Sequence, residues 1–130
     1  MSAGVLLLGH GSLADAVLAG ARAVLGQLPL ETRALGLGSD ENAGQFALRA
    51  AQAARALERG EGVLVLTDLY GATPNNAYER LRHEGIALRR VSGLNLPMLL
   101  RVYNYPELPL EELARTAAAG GRNGVIEGDA

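Results

Sequence analysis

The feature that most restricts this chain is a pair of short runs that are apolar at every position. Val5-Leu6-Leu7-Leu8 ends at Gly9, and Val63-Leu64-Val65-Leu66 stands between Gly62 and Thr67. A strand with one wet face alternates apolar and polar residues. A strand apolar throughout is buried on both faces, as in a parallel sheet covered by helices. The stretches between such runs are longer and amphipathic. Ser12 offers a helix N-cap, with Asp15 three residues on as a capping-box variant, and the helix continues through Val17, Leu18, Ala21 and Leu25 to Gly26. From about Asp40 a second helix carries Phe46, Leu48, Ala51, Ala54 and Leu57 and ends before Gly60.

Weaker strands fall at Thr32 to Leu37, where Gly36 is an irregularity, and at Ile86 to Val91. Thr73 as an N-cap with Pro74 at the first helical position opens a helix to about His83. Pro97 opens another in the same manner, a last helix covers Leu110 to Ala119, and Val125-Ile126 reads as a short final strand. Strand–helix alternation of this kind predicts an α/β fold. Its sheet is open and mostly parallel, with four parallel strands plus the short C-terminal one and helices on both faces. One domain spans residues 1–130, long enough to bury a core.

Composition removes several function classes. All 12 basic residues are Arg, against 14 acidic ones, for a net charge of −2. Without Lys there is no Schiff-base chemistry and no Walker-type phosphate loop. Without Cys there is no disulfide, thiolate nucleophile or cysteine-ligated metal. No basic face points to nucleic acid, and no basic cluster beside an apolar helix points to a membrane surface. No apolar run reaches membrane-spanning length, and the start is too short for a signal peptide, so a cytoplasmic location is expected.

In open parallel sheets, ligands bind beyond the carboxyl ends of the strands. Three segments belong there: Gly9-His10-Gly11-Ser12, Asp68 to Asn76, and Gly93-Leu94-Asn95-Leu96-Pro97. Each runs into a helix start, where free N–H groups and the helix dipole favour an anion such as phosphate. His10, flanked by glycines, presents an unobstructed imidazole, a good nucleophile toward phosphorus near neutral pH. Such a ring needs an orienter that keeps one nitrogen protonated, and Asp68, first after a buried strand, is the candidate. Taken alone, Asp68 reads as a turn residue and Thr73 as a helix cap. Gly11, Ser12 and Thr73 are candidate phosphoryl-binding residues through backbone N–H or hydroxyl groups. Leu13, Leu69, Tyr70 and Asn95 are candidate partner contacts. His83, between Arg82 and Glu84, reads as a solvated surface residue.

These segments resemble a known family. Val5 to Ala14 is similar to the active-site segment of the mannose-family IIA domains of the bacterial sugar phosphotransferase system. Gly62 to Ala77 and Gly93 to Leu99 resemble that family's second and third signatures, and Glu41-Asn42-Ala43 and Gly121 to Val125 also look like family features. The resemblance implies that His10 is the phosphorylated histidine, that Asp68 orients it, and that Thr73 lies near the phosphoryl group. It implies the histidine-phosphorylated carrier HPr as donor and a IIB domain or subunit as acceptor. It also implies a homodimer in which a C-terminal strand, here Val125-Ile126, is exchanged between subunits. No metal or organic cofactor is expected; phosphohistidine at His10 is the working intermediate. Many such domains continue through a linker into a IIB domain, whereas this sequence stops at Ala130. That fits either a permease assembled from separate chains or a system in which the phosphorylation state is the signal.

Three rival readings are weighed against this one. Small sirohydrochlorin chelatases for cobalt or iron share a strand followed by His-Gly-Ser. They need a second histidine across the cleft, and His83 is a poor match. The phosphotransfer subunit of the dihydroxyacetone kinase system is similar, but its loop after the third strand is richer in Met, Gly and Ser. A flavin-binding electron carrier would stack aromatics on the ring, and this chain has no Trp and 1 Phe.

Overall fold

The computed structural model describes residues 2–128. The elements follow as β1 (Gly4–His10), α1 (Leu13–Leu25), β2 (Thr32–Leu37), α2 (Ala43–Leu57), β3 (Val63–Thr67), α3 (Thr73–Leu81), β4 (Leu88–Ser92), α4 (Leu96–Tyr103) and α5 (Leu110–Asn123). The four strands form one sheet in the order β2-β1-β3-β4, and every neighbouring pair is parallel. The fold is the expected open α/β sheet.

Both faces of the sheet are covered, which accounts for the unbroken apolar runs. Val5, Leu7, Leu64 and Leu66 pack with Ala14, Leu18 and Ala21 of α1, Met98, Leu99, Val102 and Tyr103 of α4, and Leu113 and Ala117 of α5. Leu6, Leu8, Val63 and Val65 face the other way, onto Phe46, Ala50, Ala54 and Leu57 of α2 and onto Ala77 and Leu81 of α3. Successive strand residues point to opposite faces, so one run of leucines feeds two cores.

Several local expectations change. Ser12 occupies the N-cap position of α1, but its ψ of 7° lies outside the extended region and its side chain makes no capping bond, so no capping box with Asp15 closes. The start of α2 is Ala43 rather than Asp40, because Asn42 and Gln45 form a true capping box at that point. Thr73 is not the cap of α3: the extended residue is Ala72, and Thr73 and Pro74 are the first two helical residues. Strand β4 begins at Leu88, not Ile86, where pairing with Val63 of β3 begins. Helix α5 runs on past Ala119 to Asn123. Val125 and Ile126 form no strand within the described residues and are 78% and 82% exposed.

Candidate functional site

Strand order creates the site. From β1 the chain passes through α1 on one face to β2, then through α2 on the opposite face to β3. The segments leaving β1 and β3, which are neighbours, therefore diverge to opposite sides of the sheet. The topological switch point, where open parallel sheets receive their ligands, lies between their carboxyl ends. His10 ends β1, and Asp68 follows the last residue of β3.

These two residues, far apart in sequence, meet there. His10 Nδ1 lies 2.8 Å from Asp68 Oδ2, and the same oxygen accepts the His10 backbone N–H at 2.8 Å. The His10 side chain is 49% exposed and that of Asp68 only 6%. A carboxylate only accepts, so Nδ1 carries a proton and, in the neutral imidazole, Nε2 keeps its lone pair. Asp68 Oδ1 is buried and has no hydrogen-bond partner among the described residues.

The backbone around the pair is shaped for close approach. Gly11 has φ +54° in the turn that follows His10, and its N–H donates to the Leu37 carbonyl at 3.0 Å. Its carbonyl lies against Gly36, where an added Cβ would come within 1.8 Å of the Gly11 oxygen. Gly36, read from sequence as an irregularity in a strand, is what lets the His10 turn seat beside β2. The β2–α2 connection is held in turn by Arg49, which donates to Glu41 and to the Gly36 carbonyl at 2.7 Å. The hydrogen bond from Arg49 holds the Glu41 carboxyl below the usual carboxylate range.

Four helices start at this end of the sheet, and they differ in a telling way. Asn42 caps α2, and Asn95 caps α4 by accepting the Met98 N–H at 2.9 Å. No side chain caps α1 or α3, whose starts flank His10 and Asp68. Their first-turn N–H groups and the positive ends of their helix dipoles are open to an anion without competition from a capping side chain.

Among the remaining sequence candidates, Gly11 and Ser12 lie in the exposed turn beside the His10 ring. Thr73 is half-buried at the start of α3, and its hydroxyl forms no hydrogen bond to His10 or Asp68. Leu13, Leu69 and Tyr70 are 44%, 59% and 72% exposed, an apolar rim on the two segments that carry the pair. Tyr70 is steadied by the Arg90 guanidinium 5.3 Å from its ring, and Arg90 also lies 4.8 Å from the Tyr78 ring. Asn95 has an internal duty at both ends of its amide, since its Nδ2 donates to the Gly121 carbonyl at 3.2 Å. His83 follows the far end of α3, about 14 Å of helix from its start. Among the described residues no group of three His, Asp or Glu is placed to hold a metal ion.

Sequence reasoning missed a polar cluster, buried at Thr67 and Asn75 and half-buried at Ser92, at the same end of the sheet. Thr67, Ser92 and Asn75 are joined by side-chain hydrogen bonds across β3, β4 and α3. Asn75, in the first turn of α3, is 3% exposed.

Comparison with known proteins adds an independent line. A family model described as the PTS system fructose IIA component, EIIA-man, matches residues 4–117. The mannose/sorbose-specific IIA subunit of the phosphotransferase system from Enterococcus faecalis superposes with a TM-score of 0.89 at 26% identity, covering 100% of this chain and 97% of that one. The PTS IIA protein associated with the fucose utilization operon of Streptococcus pneumoniae gives a TM-score of 0.73 at 28% identity, covering 98% and 96%. A phosphotransferase system EIIA component from Streptococcus agalactiae, 20% identical, shares the fold with a TM-score of 0.81 over 95% of each chain. No curated protein matches the sequence.

Proposed function

Because the chain belongs to the mannose-type IIA family of the phosphotransferase system, we propose that it is a phosphoryl carrier that accepts a phosphoryl group from phospho-HPr on His10. It then passes the group to a IIB domain or subunit, or holds it as a phosphorylation-state signal. The observation that carries this reading is the 2.8 Å contact between His10 Nδ1 and the buried Asp68 carboxylate, on a ring whose other nitrogen is free to react.

The step is an in-line transfer. His10 Nε2 attacks the phosphorus of the donor's phosphohistidine, and the P–N bond to the donor imidazole breaks as the bond to Nε2 forms. His10 keeps its Nδ1 proton throughout, hydrogen-bonded to Asp68, whose negative charge offsets the positive charge that develops on the ring. The phosphoryl oxygens are received by the uncapped starts of α1 and α3, with Gly11, Ser12 and Thr73 as the nearest residues in sequence. Positioning and electrostatics carry such a transfer. Leu13, Leu69 and Tyr70 form the surface that meets the partner proteins. No metal or organic cofactor takes part.

We further propose a homodimer in which Val125 and Ile126 of one copy pair with the other. Their exposure supports this, as does an edge strand β4 that pairs only with β3 among the described residues. Among the described residues no helix is long and apolar enough to cross a membrane.

Intact-mass spectrometry after incubation with phosphoenolpyruvate, enzyme I and HPr tests the reading. Wild type gains one acid-labile phosphoryl group and His10→Ala gains none. A wild-type protein left unmodified while HPr is phosphorylated overturns it.

A further inference from the structure

A residue buried in a parallel sheet is ordinarily apolar, and the last residue of β3, Thr67, is an exception with no exposed surface. Its hydroxyl lies 2.8 Å from Ser92 Oγ, which in turn donates to Asn75 Oδ1 at 2.8 Å; Thr67 Oγ1 is itself 3.2 Å from that amide oxygen. Burying hydroxyl and amide groups has a desolvation cost that their mutual hydrogen bonds only offset. Val, Ala and Leu would fill the same space without it. The fold therefore gains little stability from this network over an apolar filling, and its value lies in the geometry it fixes.

That geometry belongs to the reactive pair. The peptide joining Thr67 to Asp68 is held on both sides. Its carbonyl accepts the N–H groups of Gly93 and Leu94, each at 2.9 Å, and its N–H, from Asp68, donates to the Leu8 carbonyl at 3.1 Å. Asp68 is therefore pinned between the ends of β1 and β4. The hydroxyl network adds the third element, since Asn75 sits in the first turn of α3, two residues after Thr73. One cluster thus ties together the strand end that carries the His10-orienting carboxylate and the first turn of the uncapped helix α3.

On the reading that His10 carries the phosphoryl group, we infer that Thr67, Ser92 and Asn75 are positioning residues for the transfer. They set the Asp68 carboxylate and the α3 N-terminus at a fixed height relative to the His10 ring. None of the three touches the reacting atoms; they act through Asp68 and through the first turn of α3.

The test separates geometry from stability. Thr67→Val removes one hydroxyl at nearly constant shape, and the triple variant Thr67→Val, Ser92→Ala, Asn75→Leu removes the whole network without leaving an orphaned polar group. Thr67→Ser restores the hydroxyl. Steady-state transfer from phospho-HPr and thermal melting are measured on each, together with nitrogen-15 NMR of the His10 ring in the unphosphorylated protein. In the triple variant kcat falls about tenfold while KM stays within about twofold, melting is unchanged or raised, and the Nδ1–H tautomer loses its dominance. Thr67→Val shows the same change in smaller degree, and Thr67→Ser behaves as wild type. A triple variant with wild-type kcat and an undisturbed tautomer overturns the inference, as does one whose only change is a lower melting temperature. If wild type takes up no phosphoryl group, it is the carrier reading that has failed. The tautomer measurement needs no donor and still decides the network's role.

Discussion

At the residue scale, the site reduces to one oxygen atom that holds one ring. Asp68 Oδ2 accepts both the backbone N–H and the Nδ1–H of His10, so a single atom fixes the position and the tautomer of the imidazole. Its twin, Oδ1, is buried without a partner among the described residues, which is a cost to the folded state. Opposite effects on rate and stability follow. Asp68→Ala slows phosphoryl uptake about 10²-fold, the scale on which a positioned proton-holding group acts, while its melting temperature equals or exceeds that of wild type. Rapid-quench measurement of phosphohistidine formation, paired with calorimetry, checks both halves, and an undiminished rate removes Asp68 from the mechanism. This juxtaposition was legible in the sequence, because a histidine and an aspartate each closing a wholly apolar run must emerge at the same end of a parallel sheet. The orphaned oxygen was not, since it depends on what packs around the carboxylate.

At the element scale, the strands were the most legible part, and β2 spans Thr32–Leu37 as the sequence predicts. Helix starts were less so. Whether Ser12 or Thr73 caps a helix depends on the dihedral angles that neighbouring strands impose on the turn, not on the residue type. Gly36 shows the same limit from the other side: a glycine that weakens a strand by propensity is required here by the Gly11 carbonyl lying on it. The Thr67–Ser92–Asn75 cluster joins three elements, so no local pattern announces it. The β2–α2 connection makes a pH prediction. Glu41 is held below its ordinary titration range by the Arg49 hydrogen bond. Its contribution to stability is therefore complete above the unfolded-state value of about 4.3 and is lost as pH falls through the lower native value. Between about pH 5 and pH 3 the melting temperature of Glu41→Gln declines less steeply than that of wild type. Parallel slopes in acid melting curves refute the assignment.

At the scale of the whole molecule, the C-terminal residues bear on the proposed dimer. Val125 and Ile126 read as a strand, but among the described residues none pairs with them; on the dimer proposal their neighbour lies in the other copy. Replacing both with Asp leaves the fold intact and converts a dimer to a monomer of 13.6 kDa by sedimentation equilibrium. A wild type that already sediments as a monomer refutes the dimer. One consequence of the strand order concerns the making of the protein rather than its use. His10 emerges from the ribosome early, yet the carboxylate that readies it lies 58 residues later on a neighbouring strand. Until β3 has been synthesised and has seated beside β1, the nascent chain carries only a bare, freely rotating imidazole. On the carrier reading, chains that end before β3 lack the group that orients His10, and competence waits on the pairing of β3 with β1.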